Sequence, residues 1–227
     1  MKGYQPVVAR LLGEKRPATV LDAPCGSGWI AREPGYAGRI DGIDLYGEPP
    51  AGYRSFRTAD LDAGLPADLG SYEAIVCCEG LEHFANPDLF LRSAFQHLAP
   101  GGMLVVTTPN VWYPGARVQY LLRGFFPGFP SLAGRIRRGT HMHLMPWSFP
   151  QLYLFLTLAG FGGIGLHDVD EPRPRRLYEW LVGLPQYLYC ASRGRKAAGE
   201  EERRYWTQAG SRQSVWGRRL VVSAIRA

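Results

Sequence analysis

Short runs of β-branched and aliphatic residues alternate with amphipathic stretches through the first half of the chain, the pattern of repeated βα units. The spacing predicts strands over Ala18–Ala23, Arg39–Asp44, Tyr53–Thr58, Tyr72–Cys78 and Met103–Thr108. Between the last two, Asn86–Leu98 sets Leu89, Phe90, Ala94, Phe95 and Leu98 on one face. That stretch has Pro87 in its first turn and stops at Pro100-Gly101-Gly102, which predicts a helix. Beyond Thr108 the pattern changes. Val111–Thr140 is rich in aromatics, Gly, Pro and Arg and leads to a predicted helix over Ser148–Ala159. Strands are then expected over Phe161–Val169 and Arg218–Ile225, on either side of a mostly helical excursion through Leu177, Trp180, Leu181, Leu184 and Leu188.

The fold class this implies is α/β: a doubly wound, Rossmann-like, seven-stranded and mostly parallel sheet with helices on both faces. The chain reads as a single domain over 1–227, with a helical, aromatic lid insertion at about 111–147 and a helical insertion at about 171–213. Ligands of such sheets bind beyond the carboxyl ends of the strands, so candidate chemistry is sought there.

Composition changes this picture in three ways. At 227 residues, 46% apolar and 20% charged, the chain can fill one core, which excludes a disordered or collagen-like protein. Residues 1–110 hold 9 Lys/Arg against 13 Asp/Glu, a balance of −4, while residues 111–227 hold 17 against 7, a balance of +10. An anionic partner is therefore expected to meet the second half. Cys25, Cys77, Cys78 and Cys190 form no C-x-x-C pair, so neither a disulfide framework nor a cysteine metal site is expected. No basic-then-apolar leader follows Met1. The longest apolar candidate, Leu152–Leu166, is interrupted by Thr157, Gly160, Gly162 and Gly163, so a cytoplasmic protein without a membrane span is expected.

The strongest local signal is Val20-Leu21-Asp22-Ala23-Pro24-Cys25-Gly26-Ser27-Gly28, a buried strand entering a tight turn and a short helix. Gly26 and Gly28 let backbone approach a ligand, and a helix N-terminus offers free N–H groups. Alone, this is equally an ordinary strand-to-helix turn. Asp44 shifts the balance, because a carboxylate closing the second strand can accept both hydroxyls of a ribose. A nucleoside-containing cofactor fits.

These residues resemble the first motif of class I S-adenosylmethionine (SAM) dependent methyltransferases, and later segments follow in that family's order. Asp60-Leu61 resembles the adenine-contacting motif, and Cys78-Glu79-Gly80-Leu81-Glu82-His83 resembles the Glu-x-Leu-Glu-His signature of a subgroup acting on small molecules, quinones and saccharides. Leu98-Ala99-Pro100-Gly101-Gly102, and His141-x-His143 followed by a helix ending Ala159-Gly160-Phe161, also match that subgroup. The resemblance spans about residues 18–170. It implies that Asp22, Pro24, Gly26 and Gly28 hold the methionine moiety, that Asp44 with Leu45 binds the ribose, and that Asp60 and Leu61 meet the adenine. Cys78 and Glu79 would border the methyl end, with SAM as cofactor and S-adenosylhomocysteine as product. Pro24 departs from the family, standing where its first glycine usually is, and removes any N–H that glycine would donate.

Methyl transfer from a sulfonium is an in-line displacement, so the enzyme positions the acceptor and takes its proton. His141 is the first candidate base and His83 the second, with His143 also available, while orienting or packing roles are the plain alternatives for each. His141 and His143 with Glu79 or Glu82 make a weak metal pattern, and no metal is expected. Trp112, Tyr113, Tyr120, Phe125, Phe126, Phe129 and Trp147, with Arg117, Arg123, Arg135, Arg137 and Arg138, are expected to wall a pocket for a small-molecule acceptor, anionic if the arginines face it. Arg173, Arg175, Arg176, Tyr178, Trp180, Tyr187, Tyr189, Arg193, Arg195 and Lys196 read as a packed or dimer face. The sharper alternative is a peripheral surface on anionic lipid at the inner membrane face, suited to a lipid-linked acceptor.

The leading reading is O-methylation of a saccharide, glycolipid or polysaccharide precursor. A quinone-like or secondary-metabolite acceptor comes second, and N-methylation stays open because both chemistries share the in-line geometry. From other classes, a nucleic-acid-binding module and an inactive SAM-binding relative are the alternatives. Nucleic acid is disfavoured because no base-amine motif follows the fourth strand. A nicotinamide cofactor is disfavoured because Gly26-Ser27-Gly28 lacks the third glycine of G-x-G-x-x-G.

Overall fold

The computed structural model describes residues 2–33, 38–130, 136, 142–170, 174 and 176–227. Its strands are β1 (Thr19–Asp22), β2 (Arg39–Asp44), β3 (Ser55–Thr58), β4 (Tyr72–Cys78), β5 (Leu98–Pro109), β6 (Gly162–Leu166) and β7 (Arg219–Ile225). They form one sheet in the order β3-β2-β1-β4-β5-β7-β6. Neighbours from β3 to β5 pair in parallel, and β7 runs antiparallel between β5 and β6. The expected doubly wound sheet is therefore present, with one reversed strand.

Strict alternation along the central strands sends successive side chains to opposite faces and builds two cores. Val20, Ala74, Val76, Val105 and Val221 point to one face, where Tyr4, Val8, Leu11 and Leu12 of the helix α1 (Gln5–Lys15) and its approach cover them. Leu21, Ile75, Cys77, Leu104, Val106 and Val222 point to the other, against α2 (Pro87–His97) and α4 (Phe149–Leu158). Both of those helices start where side-chain chemistry dictates. The Asn86 and Ser148 oxygens accept the backbone N–H groups of Leu89 and Gln151, each with a proline in the first turn.

The structure departs from expectation in the first crossovers. Gly28 is followed by the 3-10 turn Ile30–Arg32, and among the described residues no α-helix stands between β1 and β2. Loop joins β2 to β3, and only the 3-10 turn Leu61–Ala63 stands as helix between β3 and β4. With short crossovers there, α1 and the Trp29 ring, in edge contact with Tyr4, take over the burial of that face.

After β5 the chain enters α3 (Pro114–Arg123), and after β6 come α5 (Leu177–Arg195), α6 (Glu200–Ala209) and α7 (Arg212–Trp216). α5 packs against α3 and α6. Asn110, 1% exposed, fastens the end of β5 to α7. Its Nδ2 donates to the Ser214 and Gly217 carbonyls, and its Oδ1 accepts the Trp112 N–H. All four cysteines are buried and free. Among the described residues no helix is long and apolar enough to cross a membrane.

Candidate active site

The order 3-2-1-4-5 reverses direction between β1 and β4, and at such a switch point the loops part to leave a crevice. A cleft of about 380 Å³ opens there. Its wall takes Pro24–Ser27 from the turn after β1, Asp44 and Leu45 after β2, Asp60–Asp62 after β3, and Cys78–Gly80, His83 and Phe84 after β4. Eight of the ten residues expected to bind the cofactor stand on this wall. So does His83 of the two expected catalytic residues, while His141 lies outside the described residues.

Asp44 is held in place by backbone. Its Oδ2 accepts the Gly26 N–H at 2.8 Å and its Oδ1 accepts the Leu45 N–H at 2.8 Å. Gly26 needs its φ of +51° to aim that N–H, and a Cβ there would meet nothing within 4 Å, so conformation and not space explains the glycine. The turn thus spends this N–H on orienting the carboxylate, where the sequence suggested a direct ligand contact. Asp60 accepts the Asp62 N–H at 3.0 Å and Asp62 accepts the Ala85 N–H at 2.7 Å, which fixes the loop after β3 to the turn after β4.

Two expected ligands sit elsewhere. Asp22 is fully buried behind the wall, its Oδ2 accepting the Tyr53 hydroxyl at 2.5 Å while Oδ1 has no partner. Burial pushes its carboxyl up to about 7, against the opposing pull of the Tyr53 hydrogen bond. Gly28 faces away too. A Cβ on it would come within 2.2 Å of Pro50 and 2.9 Å of Tyr53, so this glycine admits the loop before β3 and not a ligand. Tyr53 carried no sequence signal beyond its place at the head of a strand.

The β4 end supplies the most unusual chemistry. Glu79 adopts a φ of +50°, and its N–H donates to Thr107, to the carbonyl at 2.9 Å and to Oγ1 at 3.1 Å. Glu82 is 2% exposed, its Oε2 has no partner, and burial with the Glu79 charge drives its carboxyl up to about 8. His83 Nδ1 lies 2.7 Å from the Met142 carbonyl, which can only accept, so Nδ1 carries a proton and, in the neutral tautomer, Nε2 is the acceptor. His143 packs edge-on against His83 at 5.1 Å. Burial and the neighbouring His83 hold its imidazole below the ordinary range. Glu82, His83 and His143 each offer one ligand atom, and these atoms lie within 4.8 Å of one another.

A second cavity, of about 470 Å³, is lined by Val111, Trp112, Arg117, Tyr120, Leu121, Phe126, Pro146, Ser148 and Gln151. Arg117 Nε and Nη2 are buried there without hydrogen-bond partners, with the guanidinium 5.4 Å from the Trp112 ring. Of the other aromatics expected to wall a pocket, Trp147 is fully buried core, because it plugs the junction between β5 and α4. Tyr113 stacks under Arg218. Arg135, Arg137, Arg138, Arg173 and Arg175 lie outside the described residues. His143, packed on His83 of the first cavity, donates its N–H to the Gly128 carbonyl, two residues along the chain from Phe126 of the second.

A cleft at the switch point with a backbone-held carboxylate on its wall is the arrangement of ligand sites in doubly wound α/β enzymes. The chain belongs to the methyltransferase-domain family, whose profile matches residues 2–160, and it is a SAM-dependent methyltransferase. It is 31% identical over 182 residues to a ubiquinone biosynthesis O-methyltransferase of Chromobacterium violaceum, covering 72% of this chain and 73% of the relative. The mitochondrial ubiquinone biosynthesis O-methyltransferase of Rattus norvegicus is 29% identical over 136 residues, 54% of this chain, and the match spans only 38% of that longer protein. The crystal structure of a SAM-dependent methyltransferase from Mesorhizobium loti shares the fold with a TM-score of 0.53 at 19% identity, over 99% of this chain and 98% of that one.

Proposed function

We propose that the chain methylates a hydroxyl of an aromatic, quinol-type acceptor that is apolar and carries an anionic group. The observation that carries this reading is the second cavity: apolar and aromatic walls, with Arg117 presenting two buried, unpartnered donors. Leaving those N–H groups dry and unpaired is costly, and a carboxylate or phenolate would satisfy both. The names of the relatives favour a quinol over the saccharide that the motifs alone suggested.

In this reading Asp44, Asp60 and Leu61 hold the nucleoside, and the wall from Pro24 to Gly26 with Cys78 and Glu79 borders the methionine end. The sulfonium is thereby set toward His83, whose Nε2 lone pair marks where the acceptor hydroxyl is activated. Exposed Leu121, Leu122, Leu177, Trp180 and Leu181, flanked by Arg123 and Arg176, suit the surface of α3 and α5 to an anionic lipid layer from which such an acceptor is drawn.

The test is methyl transfer from labelled SAM to paired dihydroxyaryl compounds with and without a ring carboxylate. Arg117→Leu is expected to raise KM for the carboxylated member by roughly tenfold, the scale of one charge-assisted hydrogen bond, and to leave S-adenosylhomocysteine affinity alone. Turnover of a saccharide but of neither aryl compound would overturn the reading.

A further inference from the structure

We propose that Lys2 is the counter-ion of the cofactor's carboxylate, so that the segment before α1 decides which adenosyl compounds the cleft accepts. SAM carries a sulfonium and an ammonium, and also one carboxylate, which S-adenosylhomocysteine keeps. The cleft wall takes four acids, Asp44, Asp60, Asp62 and Glu79. Such a wall suits the two cationic groups and repels the carboxylate, which needs a positive partner of its own. Among the described residues only Lys2 and Arg32 bring a permanent positive charge to that wall.

Of the two cations, Lys2 is the one both aimed and unengaged. Gln5 fastens the Lys2 backbone twice: its Oε1 accepts the Lys2 N–H at 2.6 Å, and its own N–H donates to the Lys2 carbonyl at 3.0 Å. Tyr4, 3% exposed, anchors the same segment against the Trp29 ring, and Lys2, Tyr4 and Gln5 all line the cleft. From that anchored backbone the Lys2 ammonium reaches a point 5.8 Å from the centre of the Tyr4 ring and makes no ion pair among the described residues. Burial and the Glu79 charge raise the Glu82 carboxyl and the Lys2 ammonium opposes them, which sets this cation toward the turn after β4. Arg32 is engaged on the other side, where its Nη2 donates to Ser27 Oγ at 3.1 Å above the turn after β1.

With the nucleoside at Asp44, Asp60 and Leu61, the amino-acid end of the cofactor falls on the side of Cys78 and Glu79, toward Lys2. This step rests on the cofactor placement proposed above and not on the identity of the acceptor. A carboxylate held by Lys2 anchors the cofactor at the end opposite its nucleoside, so the sulfonium between the two anchors is presented in one orientation. An ammonium is a point charge on a flexible stem, so it selects for charge and not for shape. The cleft should therefore favour adenosyl compounds that keep their carboxylate and reject decarboxylated ones.

Calorimetric titration with S-adenosylhomocysteine and with its decarboxylated analogue, which keeps the nucleoside, the thioether and the ammonium, tests this without any acceptor. Lys2→Met is expected to weaken S-adenosylhomocysteine at least ~10-fold, the scale of one charge-assisted hydrogen bond, and to leave the analogue's affinity unchanged, which also proves folding. Lys2→Arg should keep most of the parent's discrimination between the two ligands, and added salt should narrow it in the parent but not in Lys2→Met. Equal weakening of both ligands, or of neither, would overturn the proposal, as would discrimination lost in Arg32→Met and kept in Lys2→Met. Asp44→Ala is expected to weaken both ligands alike. If it weakens neither while Lys2→Met still separates them, the nucleoside placement fails and the carboxylate site stands.

Discussion

The Pro24 ring occupies the space of a side chain at residue 80. A Cβ on Gly80 would lie 2.3 Å from Pro24 Cδ and 2.6 Å from Cγ. The residue that departs from the usual first motif and the glycine of the β4 turn are therefore one packing unit, and the proline is accommodated by a loop built for it.

Gly80→Ala is accordingly expected to displace the Pro24 turn, weakening S-adenosylhomocysteine binding by roughly tenfold or more and destabilising the protein by about 1–3 kcal/mol. Pro24→Gly should restore room for the methyl. Calorimetry on the two single variants and the double variant checks the coupling. Additive losses would show that the two residues act separately.

Asp44→Ala removes the carboxylate proposed to hold the ribose and frees the Gly26 and Leu45 N–H groups at once. A loss of SAM affinity of about 1–3 kcal/mol is expected. Asp44→Asn keeps one oxygen for the backbone, so it should retain the turn and lose less. Equal affinity in all three proteins would remove Asp44 from the cofactor site.

Much of this was legible in the chain before any coordinates. The Arg39–Asp44 and Tyr72–Cys78 strands match residue for residue, because Ile40 with Ile43, and the run from Ala74 to Cys78, supply buried apolar positions between clear ends. The wall residues Asp44, Asp60 and Cys78 follow from their places at strand ends. Asp22 and Gly28 share that motif yet face inward, since a tight turn alternates its directions and only packing against Tyr53 and Pro50 decides which residue faces the ligand. The grouping of His83 with Glu82 and His143 is tertiary, joining positions that no local period relates, whereas the sequence offered Glu82 and His143 only in a weak pattern with His141 and Glu79.

Asn110 is expected to be the most stability-sensitive polar residue outside the cleft. Replacement by Ala removes three hydrogen bonds and leaves the carbonyls of Ser214 and Gly217 without their donor inside the protein. A loss of about 2–4 kcal/mol follows from unpaired buried acceptors plus the cavity. Urea unfolding of Asn110→Ala measures it, and a loss below 1 kcal/mol would mean water replaces the amide.

Asp22 sets a pH dependence of stability whose sign is unusual for a carboxylate. Its carboxyl, raised to about 7 by burial, binds a proton more tightly in the folded protein than in the unfolded chain, where it is near 3.8. Below about pH 4 both states are protonated and Asp22 imposes no penalty. Between pH 4 and 7 the unfolded chain ionises first, so stability contributed by this group falls as pH rises, and above 7 the loss is complete. Its upper bound is about 4 kcal/mol, from some three pKa units at about 1.4 kcal/mol each. Asp22→Asn still accepts the Tyr53 hydroxyl through its amide oxygen but cannot ionise. Its amide nitrogen replaces the unpartnered Oδ1 and adds a constant offset, so the informative quantity is the change with pH. The Tm of Asp22→Asn minus that of the parent should therefore rise from pH 4 to 7 and level off above it. A difference that stays flat across that range would mean that Asp22 is ionised in the folded protein throughout, with Oδ1 paired to a group that pays its desolvation.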